Sequence, residues 1–150
     1  MDPRITLQRF KDKDLACTIE ARSLASASTG PCYLTKSERW ILSEWQVAQD
    51  RVLRFNEELL LHRERTPFAE TDLLFRTRVP STGTRGFRSY LHLIEVKSCL
   101  DEIWGDQVVS HRQIQRLYRA RLYFESKAGC PVRLQIAVVS QTLGIHYFEH

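Results

Sequence analysis

The sequence predicts an α/β domain, a mixed sheet flanked by helices in the order α-β-β-β-α-β(β). Three observations carry that expectation. Ile41, Trp45, Ala48, Val52, Phe55 and Leu59 recur at intervals of three and four residues, the period of an amphipathic helix. Between Leu59 and Lys97 the chain then holds three apolar runs separated by turn residues. A second helical pattern and one or two further apolar runs complete it, and helices interleaved with strands build layered α/β folds.

Composition bounds what such a domain can be. With 150 residues, 43% of them apolar and 10% aromatic, the chain is long enough to bury one core and too apolar to stay disordered. Twenty-two basic against eighteen acidic residues leave a formal charge of +4, which permits nucleic-acid binding without requiring it. If some carboxylates gather at a metal, the remaining surface is more basic than the total. No run of about 18 apolar residues is present, so no membrane span is expected. The start, Met1-Asp2-Pro3-Arg4, lacks the apolar region of a signal peptide, and a cytoplasmic location is expected. Cys17, Cys32, Cys99 and Cys130 are widely spaced and form no CxxC pair, which favours reduced thiols over a zinc site or disulfides.

Residues 1–34 read as an N-terminal extension of unclear role, with room for one short helix before the small-residue linker Ser23–Pro31. The domain proper, 35–150, opens at Thr35-Lys36-Ser37-Glu38, a capping box. The helix it starts runs to about residue 56 and carries Glu44 at the edge of the apolar stripe. Leu59–Arg63 reads as a first strand, Glu64–Pro67 as a turn and Ala69–Arg78 as a second strand. Ser81–Gly86 reads as a hairpin loop, and Tyr90–Lys97 as a central strand apolar on both faces. A second helix spans about Val109–Lys127, with Ile114, Leu117, Ala120 and Phe124 inward, and Gly129-Cys130-Pro131 stops it. Leu134–Ser140 gives a fourth strand and Ile145–Phe148 a fifth.

Two short segments point to chemistry. Residues two apart in a strand share a face, so Glu70 pairs with Asp72 on the second strand and Glu95 with Lys97 on the third. Ile94 and Val96 then bury on the opposite side. Three carboxylates and an amine at one sheet end suit a divalent cation and an activated water. Magnesium and manganese take oxygen ligands and keep several waters. Asp72, Glu95 and the Val96 backbone carbonyl are the expected ligands, with Glu44 and Glu70 assisting. Lys97 is placed to orient or deprotonate the attacking water or to pair with the phosphate. Solvated faces or cross-strand ion pairs would use the same residues.

With Glu44 on the preceding helix, Glu70-Thr71-Asp72 and Glu95-Val96-Lys97 resemble the PD-(D/E)XK nuclease superfamily. Over about residues 36 to 148 the chain is more closely similar to the bacterial YraN family of endonuclease-like proteins. Leu61-His62-Arg63-Glu64-Arg65 stands for that family's N-x-R-like strand, Ala69–Leu74 for G-E-I-D-L-I, Leu93–Lys97 for F-V-E-V-K, and Arg112-Gln113 for K-Q. Ala69 replaces a glycine, Thr71 an isoleucine, and Leu134-Gln135 the F-D of the last strand, while the Arg76–Ser89 connection is longer than usual. The resemblance implies a restriction-endonuclease-like fold. It implies Mg²⁺- or Mn²⁺-dependent hydrolysis of phosphodiester bonds, with DNA, including branched or recombining DNA, as substrate. It implies that Gln113 approaches the scissile phosphate or metal water. Many such nucleases cut as two-fold dimers, so a homodimer is among the implied partners.

Arg112, Arg116 and Arg119, with Arg121, crowd the second helix and suit phosphate contacts, although a solvated helix face explains them equally well. Among the tryptophans, Trp45 reads as core and Trp104, in Asp101–Gly105, as the best candidate for stacking on a base. His62, His92, His111, His146 and His150 show no ligand spacing. The competing expectations are a binding or interaction module with this fold but little turnover, and a structural domain whose acids form ion pairs.

Overall fold

The structure, a computed structural model, describes residues 7–26, 34–83, 86–99, 109–140 and 144–150. Trp104 and its linker, Cys32 and residues 27–31 of the small-residue linker lie outside them. Among the described residues eight elements follow one another: α1 (Lys13–Ser26), α2 (Lys36–Phe55), β1 (Glu58–Arg65), β2 (Glu70–Pro80), β3 (Phe87–Cys99), α3 (His111–Ala128), β4 (Val132–Ser140) and β5 (Gly144–Glu149). From α2 onward this is the order expected from the sequence.

Local chemistry explains the element ends. Thr35 closes a two-way capping box on α2: its Oγ1 accepts the Glu38 N–H and its own N–H donates to Glu38 Oε1, both at 3.1 Å. Asn56 ends α2 in the left-handed region at φ 53°. Ser110 caps α3, and Gly129 terminates it at φ 67°, where a side chain would be strained. The β1–β2 turn falls at Thr66–Ala69 rather than at Glu64–Pro67, because Thr66 Oγ1 accepts the N–H groups of both Phe68 and Ala69. β1, β3 and β5 reach one or more residues beyond both expected ends, whereas β2 starts one residue later than expected and runs two further, and β4 starts two residues earlier and ends at Ser140 as expected.

The five strands lie in the spatial order β1-β2-β3-β4-β5; β3 and β4 run parallel and every other neighbouring pair is antiparallel. Parallel strands need a long crossover, and the stretch that includes α3 supplies it. The period of two divides the side chains between two cores. Leu73, Phe75, Ile94 and Val96 meet Trp45, Ala48 and Val52 of α2 on one face. Leu74, Leu91, Leu93 and Leu134 meet Leu117, Ala120 and Phe124 of α3 on the other. β3 is buried on both faces from Leu91 to Val96, as a central strand in a covered sheet should be.

Residues 7–26, set apart from the domain in the sequence reading, pack into the α2 core: Leu7, Phe10, Ala16 and Ile19 are buried. The Phe10 ring meets Trp45 edge-on at 5.0 Å and stacks on His62 at 3.9 Å. Ser23–Ser26 belong to α1 rather than to a linker. A buried polar cluster lies further along the same face toward the β2–β3 hairpin. There Arg51 and Thr77 hydrogen-bond to Glu57, and His92 Nδ1 lies 2.5 Å from Glu57 Oε2. Burial alone would raise the Glu57 carboxyl, but the bonds from His92, Arg51 and Thr77 hold it below the ordinary range.

Candidate active site

The β2–β3 ladder is regular from Pro80↔Phe87 to Leu73↔Ile94. One step further the same register would set Asp72 directly opposite Glu95, and the pairing stops there. The Val96 N–H, which would otherwise face β2 backbone, donates to Asp72 Oδ2 at 2.8 Å. In a strand the N–H and C=O of one residue point to the same side, so the Val96 carbonyl points into the same gap. One interruption of the ladder thus gathers two carboxyls and a carbonyl oxygen.

Asp72 and Glu95 are buried, 4% and 6% exposed. The two carboxyls are close enough to raise each other's cost of ionisation. Desolvation first, then the charges of Glu95 and Glu44, push the Asp72 carboxyl up to about 9. Glu95 is also raised by burial, against the pull of Lys97. Lys97 Nζ lies 3.5 Å from Glu95 Oε1. Gln113, reaching down from the first turn of α3, ties the two together: its Nε2 donates to Glu95 Oε1 at 2.9 Å and its Oε1 accepts from Lys97 Nζ at 3.3 Å.

Glu44 enters from α2 and is wholly buried, deeper than the stripe edge expected for it. Its partners come from β1. Lys11 donates its backbone N–H to His62 Nδ1 at 2.8 Å. A backbone amide can only donate, so the proton of neutral His62 sits on Nε2 and is given to Glu44 Oε2 at 2.7 Å. Arg63 Nε donates to the same oxygen at 3.1 Å. Arg63 has φ 50°, and β1 carries a register shift between Leu59 and Leu61.

The structure therefore brings together Asp72, Glu95, Lys97, Gln113 and the Val96 carbonyl, with Glu44 within electrostatic reach of both acids. Glu70 shares no hydrogen bond or ion pair with them and faces a neighbouring cleft. It is exposed and lines that cleft, of about 330 Å³, with Gln113, Arg112 and Arg116, where α3 approaches the start of β2. Arg119 is exposed further along α3, whereas Arg121 turns inward, its Nε buried and its guanidinium 5.2 Å from the Tyr118 ring. The sequence reading missed His62 and Arg63 as partners of Glu44. The signal was their place in Leu61-His62-Arg63, polar side chains inside an apolar strand.

The donor set was tested for a divalent cation on its chemistry. Among the described residues no three His, Cys, Asp or Glu side chains come together as a metal-ligand group. Two carboxyls and one carbonyl oxygen do, and that set fits a hard cation that keeps several waters. Glu44 is taken up by His62 and Arg63 and adds charge rather than a ligand. In comparisons with known proteins, no family model matches the chain and no curated protein matches it significantly.

Proposed function

We propose that the chain is a metal-dependent nuclease of the PD-(D/E)XK type, with the restriction-endonuclease-like fold and a YraN-like motif set, hydrolysing phosphodiester bonds in DNA. One observation carries this reading: two carboxyls held side by side in a buried gap, with a lysine and a glutamine fixed against one of them. Burying two carboxyls side by side costs stability, and among the described residues only Lys97, at 3.5 Å from Glu95, offsets it. A divalent cation there would turn that cost into binding energy.

Asp72, Glu95 and the Val96 carbonyl would hold the ion. When bound, Mg²⁺ or Mn²⁺ would supply positive charge for the transition state and acidify a water. The chain's own groups do the remainder. Gln113 fixes the rotamers of Glu95 and Lys97 together. Lys97, tethered at Glu95, presents N–H donors toward the gap and can hold or pass a proton at Nζ. Glu44 keeps the potential of the gap negative enough to favour a cation. Arg112 and Arg116 receive backbone phosphates in the adjacent cleft, where contacts position a strand without reading its sequence.

Calorimetric titration of Mg²⁺ and Mn²⁺ into wild type and an Asp72→Asn/Glu95→Gln variant, paired with cleavage of linear, single-stranded and four-way-junction DNA, tests the reading. Binding and cutting should both disappear in the variant. Equal heats from both proteins, with no cleavage by either, would refute a nuclease and leave a binding module with this fold.

A further inference from the structure

On the other side of Lys97 the surface opens into a second cavity of about 360 Å³, lined by Lys36, Arg39, Trp40, Val96, Lys97 and Ser98. Trp40 is 47% exposed, whereas Trp45, little more than one turn along the same helix, is fully buried. An exposed indole beside clustered cations, with no acid among the described residues of the lining, is the combination that takes up single-stranded nucleic acid, since bases stack on the ring and phosphates pair with the amines. The Arg63 guanidinium lies 5.8 Å from the centre of the Trp40 ring, and the same side chain holds Glu44. The ring is thereby tied to the acid cluster through one arginine.

Resting on the nuclease reading above, we propose that this cavity is a base-binding subsite. An unpaired nucleobase of the substrate strand stacks on Trp40, Lys36 and Arg39 take the flanking phosphates, and the next phosphodiester is delivered past Lys97 toward Asp72 and Glu95. The substrate class is then an unpaired strand, as in single strands, flaps and junction arms, rather than an intact duplex. A duplex keeps its bases stacked on one another and has none to offer the indole.

The test is anisotropy of short labelled oligothymidylate, oligouridylate and blunt duplex DNA with the full chain in chelator, where cleavage cannot interfere. Wild type should bind the single strand more tightly than the duplex. Trp40→Ala should weaken single-strand binding at least about fivefold, as expected for one lost base stack, with the duplex unaffected. Trp40→Phe should retain more of the binding than Trp40→Ala, and Arg39→Gln should weaken it most at low salt and lessen its salt dependence. The thymidylate and uridylate arms separate DNA from RNA as the source of the strand. Single-strand binding that is absent, or equal in wild type and Trp40→Ala, would overturn the subsite. Cleavage assayed beside binding keeps the two readings apart: Trp40-dependent binding without cleavage by wild type would sink the nuclease alone, and duplex cleavage indifferent to Trp40→Ala would sink the subsite alone.

Discussion

Desolvation first, and then the charges of Glu95 and Glu44, raise the Asp72 carboxyl. A raised carboxyl stabilises the folded chain fully below its unfolded pKa, and that contribution is lost as pH rises through the folded value. For Asp72 the window runs from the ordinary 3.8 to about 9. The metal-free protein should therefore melt at progressively lower temperature as pH rises across that window. Asp72→Asn should flatten the trend, and Mg²⁺ or Mn²⁺ should oppose it by favouring the ionised acids. Thermal melts in chelator at stepped pH check the sign, and a melting temperature that climbs with pH would contradict it. Glu57 works in the other direction: its depressed carboxyl contributes above the ordinary 4.5 and is lost on acidification. His62 offers a second measurement. Removing it leaves Glu44 buried with Arg63 as its remaining hydrogen-bonding partner, so His62→Ala should cost about 3 kcal/mol in urea unfolding. A loss within experimental error would mean that Glu44 is held by Arg63 alone.

At the scale of elements, the parts legible in the sequence are those whose signals are local. The capping box at Thr35, the stop at Gly129 and the alternation around Glu95 each act within a few residues, and each lies where the sequence puts it. Helix α1 was not legible as core. Its buried Ala16 and Ile19 sit among Asp14, Glu20 and Arg22 without a periodic apolar stripe, so only docking against α2 selects its inner face. Glu44 was legible as a site residue but not as a fully buried one, because its burial depends on His62 and Arg63 arriving from β1. Likewise the convergence of Asp72 and Glu95 needs the β2–β3 register. The capping box has a measurable weight. Thr35→Ala should destabilise the protein by about 1 kcal/mol and loosen the turn that carries Lys36 and Arg39. If single-strand binding falls with that loss of stability, the start of α2 is part of the binding surface.

For the whole molecule, the three layers divide the work. The sheet carries the acids and Lys97, α3 supplies Gln113 and the arginine-lined cleft, and α2 supplies Glu44 and the indole. The N-terminal segment closes the α2 side. Phe10, packed on both Trp45 and His62, should cost about 3 kcal/mol as Phe10→Ala. Because His62 would lose its stacking partner at the same time, the variant should also bind Mn²⁺ more weakly than its remaining folded fraction predicts. Calorimetry beside a denaturation curve separates the two effects; a binding loss fully explained by unfolding would show that the segment is scaffold only. If the proposed function holds, with Lys36, Arg39, Arg112 and Arg116 on phosphates, nucleic-acid affinity should fall steeply with salt.

The β2–β3 hairpin runs away from the site. Asp72 stands near the start of β2 and Glu95 near the end of β3, so the turn beyond Pro80 is about 26 Å from the carboxyls at the usual rise of a strand. Exposed Thr82 at that tip is then a natural point of attachment. A cysteine placed there could anchor the molecule to a bead or carry a dye, leaving the acid gap and the indole free. Single molecules held by that handle would show directly whether a strand enters the gap and is cut.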